Sequence, residues 1–131
     1  MSDLDHAKAL FAMAKKDWQA LQEMSRNLLI ADEILGFHAQ QAIEKSLKAW
    51  IASLGLDYPR THNLISLLDK LEEHGGAVER FWDLTAYNSY AVQFRYETLE
   101  PEGESLDRPG TLRQVAVLVD FVERLLSGDA T

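Results

Sequence analysis

The chain has 131 residues, 47% hydrophobic and 26% charged, which is enough apolar material for one domain with its own core and too little length for two. A formal charge of -8 argues against a nonspecific grip on a nucleic-acid backbone, because such affinity comes from Lys and Arg neutralising phosphates, and leaves room only for a local basic patch. With no cysteine, a disulfide framework and thiolate chemistry are both excluded.

Residues 3 to about 26 read as a first helix. Leu10, Phe11, Ala14, Trp18 and Leu21 fall on one side, with Lys15, Lys16, Gln19 and Glu23 outside. Ser2 with Asp5 three residues later is a start signal. The junction to the second helix falls between Ser25 and Asp32, unmarked by Gly or Pro. The second helix runs to about Leu54 and is ended by Gly55, a usual residue just past a helix terminus. Its apolar stripe is Phe37, Ile43, Leu47, Trp50, Ile51 and Leu54, with Ala39 and Ala42 as small fillers. Beside that stripe His38, Gln41, Lys45 and Lys48 advance at the same rhythm, and Glu44 stands one turn before Lys48, where the two can pair. This polar string is either a solvated face or the lining of a groove that accepts phosphate. In the first case Lys45 pairs with Glu44 or with another helix.

Pro59 biases Tyr58 away from helix, and Thr61 can cap a third helix over His62–Glu73, whose stripe is Leu64, Leu67, Leu68 and Leu71. His62, at that helix start, either joins Arg60 in an anion site or ties the loop to the bundle. After His74-Gly75-Gly76, a fourth helix spans about Ala77–Tyr96 with Phe81, Trp82, Leu84, Tyr87, Tyr90, Ala91 and Phe94. At its end Arg95 and Tyr96 either contact a ligand or simply complement the helix C-terminus. Residues 98–110 hold Pro101, Gly103, Pro109 and Gly110 among four acids and read as an exposed, mobile acidic loop. The fifth helix opens with a capping box, Thr111-x-x-Gln114, and carries Leu112, Val115, Leu118, Val119, Val122, Leu125 and Leu126. Without strand-like alternation the pattern is all-α: an up-and-down bundle of about five helices, a single domain over 1–131 with its core from about 5 to 127.

The opening residues lack the basic segment and apolar run of a leader, and no stretch reaches the ~20 apolar residues of a membrane span, so a soluble cytoplasmic protein is expected. His6, His38 and His74 stand in no paired ligand spacing, so neither metal nor cofactor is expected. No glycine-bracketed serine offers a nucleophile.

The strings Phe37–Ile51 (FHAQQAIEKSLKAWI), Thr61–Leu71 (THNLISLLDKL) and Tyr90–Glu97 (YAVQFRYE), followed by a polar loop and a helix rich in Leu and Val, resemble the HEPN domain family over about residues 5 to 127. The resemblance implies a helical bundle that forms homodimers and is often encoded beside a small nucleotidyltransferase. Members bind nucleotides, and a large subset are metal-independent ribonuclease toxins that use an Arg followed four to six residues later by a His. In this chain positions 99 to 102, four to seven residues after Arg95, are Leu99, Glu100, Pro101 and Glu102, and a carboxylate there repels phosphate. The resemblance therefore implies a non-catalytic module, binding a nucleotide or partnering a nucleotidyltransferase in a toxin–antitoxin-like pair. Its nucleotide or phosphate contacts are Gln41, Lys45, Lys48, His62, Arg95 and Tyr96, with Glu44 beside them. The alternative is a ribonuclease acting on RNA in which Arg95 positions phosphate and His62 or His38 transfers the proton. A third possibility is a purely structural dimerisation domain.

Overall fold

The computed structural model describes residues 2–91 and 105–128. In it the first helix, α1 (Asp3–Met24), begins with a reciprocal cap: the Asp5 N–H donates to Ser2 Oγ at 3.1 Å and the Ser2 N–H to the Asp5 carboxylate at 3.3 Å. Two of the donors that every helix start leaves unsatisfied are thereby paired. The second helix, α2, spans Asp32–Ser53, and Gly55 follows it with φ +76°.

Three boundaries differ from the sequence expectation, each for a local reason. The third helix, α3, is Leu64–Glu73 rather than starting at His62, because Asn63 and not Thr61 caps it. Asn63 Oδ1 accepts from the Ile65 N–H at 3.0 Å, while Thr61 Oγ1 accepts from Asn63 itself. The next segment, Glu79–Ser89, is a 3₁₀ helix instead of an α-helix. The part of the fourth helix expected past Ala91 lies outside the described residues. The last helix, α4 (Arg108–Ser127), starts ahead of the expected Thr111 box. Asp107 caps it by accepting from the Gly110 N–H at 3.0 Å, and Pro109 occupies the first turn, where a missing N–H costs nothing. Thr111 is buried, its hydroxyl 2.8 Å from that of Tyr87. The acidic loop is thus shorter than expected at its far end, and residues 98–104 of it lie outside the described part.

Around α2 the four other helical segments of the described residues assemble. Leu35, Gly36, Ala39, Ala42, Ile43, Leu47, Ala49, Trp50, Ile51 and Ala52 are all buried, so more of its circumference faces protein than the single stripe read from sequence. Phe37 is half-buried and Leu54 exposed, at the margins of that stripe. Trp50 meets Phe121 at 4.8 Å and Phe81 at 6.0 Å between ring centres, which joins α2, the 3₁₀ helix and α4 in one aromatic junction. Arg108 fastens the other end. Its guanidinium donates to Asp32 Oδ1 at 3.1 and 3.2 Å and to the carbonyls of Ile30 at 2.6 Å and Asn27 at 3.1 Å, tying the α1–α2 turn to the start of α4. The described residues form an all-α bundle without strands, and none of their helices is long and apolar enough to cross a membrane.

Candidate functional site

The polar string of α2 sorts into two clusters, each organised by a carboxylate. In the first, Glu44 is buried, 4% exposed. It accepts from Lys48 Nζ at 3.0 Å through Oε2, and from Gln40 Nε2 and His62 Nδ1, both at 2.9 Å, through Oε1. Burial pushes the Glu44 acid up, but the hydrogen bonds from Gln40, His62 and Lys48 outweigh it and hold the carboxyl below the ordinary value. An ionised carboxylate only accepts, so the proton in the His62 contact sits on Nδ1. The imidazole, 58% exposed, keeps Nε2 for other partners.

Gln40 is the centre that sequence reading missed. Fully buried, it also donates to the His62 carbonyl at 3.2 Å and accepts from Gln41 Nε2 at 2.7 Å. It thereby fixes the loop entering α3 onto α2. The one signal available was its spacing, one turn ahead of Glu44 on the same helix.

In the second cluster Asp17 of α1, also unremarked in the sequence, receives Lys45 Nζ at 2.6 Å on one oxygen and His38 Nδ1 at 3.0 Å on the other. Lys45 therefore reaches another helix and not Glu44. Of the expected contacts, the structure brings Gln41, Lys48 and His62 together around Glu44 and sets Lys45 with His38 on the α1 side. Arg95 and Tyr96 lie outside the described residues.

Lys48 also stands 5.7 Å from the ring centre of Tyr58, a cation over an aromatic face. Tyr58 in turn stacks on His6, rings 5.9 Å apart at 13°, with its hydroxyl 3.0 Å from His6 Nε2. Arg60 lies on this loop, exposed, and does not join the Glu44 cluster as the sequence allowed. Among the described residues no group of three or more His, Asp or Glu is placed to hold a metal ion.

Chemically, the Glu44 cluster offers an oriented imidazole and an ammonium on one carboxylate. Lys48 has three N–H donors, and Glu44 takes one. Such a pair can accept an anionic oxygen, and the imidazole can move a proton through Nε2.

Searches of curated proteins and of solved structures return no match. The family model for the HEPN domain matches residues 3–127. That span takes in the four α-helices and the 3₁₀ helix of the described residues, together with both carboxylate clusters. The chain belongs to the HEPN domain family.

Proposed function

We propose that the chain is a HEPN-class binding module that accepts the phosphate of a nucleotide beside His62 and Lys48, forms a homodimer, and partners a small nucleotidyltransferase without catalysis of its own. The observation supporting this reading is the Glu44-centred network. It holds an exposed imidazole and an ammonium together at the junction of α2 and the loop into α3, each with donors left over. Gln41 belongs to the same network through Gln40. Arg95 and Tyr96 are assigned to the phosphate by the family resemblance, and Lys45 is the weakest of these contacts, since Asp17 already holds and neutralises it.

Titration of the purified chain with ATP should give saturable binding that weakens as salt rises, and His62→Ala should weaken it about tenfold, the loss of one charge-assisted hydrogen bond. If no nucleotide binds and no nucleotidyltransferase co-purifies, the reading fails.

One observation favours the nuclease as the second reading. An imidazole oriented by a buried, ionised carboxylate is what a general base needs. RNA cleavage in excess EDTA, abolished by both Arg95→Ala and His62→Ala, would replace the first reading with this one.

A further inference from the structure

Next to the Glu44 cluster, but lined by other residues, is a half-enclosed cleft of about 360 Å³, at the small end of the ~300–1,000 Å³ range of ligand sites. Its walls come from three places: Asp3 and His6 at the start of α1, Ala52 and Gly55 at the end of α2, and Leu56, Asp57, Tyr58 and Arg60 of the connecting loop. Tyr58 and His6 hold one another. The side chains of Asp3, Asp57 and Arg60 behave differently. All three line the cleft, yet none makes a hydrogen bond or an ion pair with any described residue, and Arg60 pairs with neither acid.

The charges in the cleft are of both signs. The negative side comprises the carboxylates of Asp3 and Asp57 and the carbonyl end of α2, whose last turn carries no basic residue to complement it. Opposite them in sign is a guanidinium with its full fork of donors available. Asp3 Oδ2 lies close against the end of α2, 3.3 Å from where a Cβ at Gly55 would stand. A purely anionic ligand would meet two carboxylates, and a purely cationic one would meet Arg60. A small molecule with both charges satisfies all three side chains.

We propose that this cleft binds a free α-amino acid, its carboxylate on Arg60 and its ammonium on Asp3 and Asp57. The site is separate from the phosphate contacts above, and the inference stands whether or not those bind a nucleotide. Calorimetric titration of the full chain with the common L-amino acids, their amides and their N-acetyl derivatives tests it. At least one free amino acid should bind saturably, with its amide and its N-acetyl form each weaker by about tenfold or more. Arg60→Met should erase the preference for the free acid over the amide, and Asp57→Asn the preference for the free amine over the N-acetyl form. Both side chains are exposed and unbonded, so melting temperatures should stay at the parent value. Binding of no free amino acid overturns the proposal, as does an amide that binds as tightly as its acid, or unchanged affinity in both variants.

Discussion

A carboxylate that is 4% exposed has lost most of its hydration, and Glu44 regains an equivalent from three donors on two segments of chain. Glu44→Gln would leave Lys48, 13% exposed, without its counter-charge. A buried pair broken on one side typically costs 3–5 kcal/mol. With Lys48 still touching solvent, about 3 kcal/mol is expected from urea denaturation at neutral pH. The pH dependence has a definite sign. Because the folded-state pKa of Glu44 lies below its ordinary value of 4.5, its stabilisation is complete above that pH and is lost as pH falls through the lowered value. The native chain should therefore weaken on acidification below 4.5 more steeply than Glu44→Gln, and equal slopes would show that Glu44 is not held ionised. At this scale the sequence disclosed the Glu44–Lys48 pair, which needs only one turn of helix. It hid Asp17 and the bond from Gln40 to the His62 carbonyl, because those contacts span 28 and 22 residues along the chain and no local pattern marks a tertiary contact.

Between elements the contact that most constrains packing is Gly36 of α2 against the Tyr90 ring. A Cβ at Gly36 would overlap the ring carbons Cγ, Cδ1 and Cε1. A rigid ring at such a point cannot yield without moving the segment that carries it. Gly36→Ala should cost about 1–3 kcal/mol, the range for overpacking. In a Tyr90→Ala background the same change should be stabilising by up to about 1 kcal/mol, because alanine is the better helix former and the obstruction is gone. Chemical denaturation of the four proteins of that cycle checks the reversal, and an unchanged sign would mean that the ring does not rest on the helix. Helix existence was legible throughout, since burial at steps of three and four residues leaves a visible stripe. Starts and geometry were less so: Asn63 and Thr61 are both competent caps, as are Asp107 and Thr111, and only the fold decides which side chain is free to cap. The 3₁₀ character of Glu79–Ser89 did leave a trace, since the buried Phe81, Leu84 and Tyr87 step by three residues each time, the period of that helix, without the steps of four an α-helix adds.

For the molecule as a whole, the bundle was readable because composition, period and turn residues all agree, while the candidate cluster was readable only in its α2 residues and His62. One result of the folding is a redistribution of charge. Lys45 and Lys48, the two cations of the polar string, are matched one to one by Asp17 and Glu44, so the pairs sum to zero and the formal charge of -8 belongs to the remaining side chains. On the proposed reading a nucleotide approaching from far away would be repelled, and attraction would begin only within about 8 Å of the cluster, the screening length at physiological ionic strength. Encounter and grip then respond to salt in opposite directions. Stopped-flow measurement with ATP should show an association rate constant that rises as salt is added, while dissociation also quickens. An association rate that falls with salt would reveal a basic face reaching into solution. Under the proposed function, a site whose cations are already paired inside the fold would admit anions slowly and release them readily, which favours a ligand present in abundance over one that must be captured from scarcity.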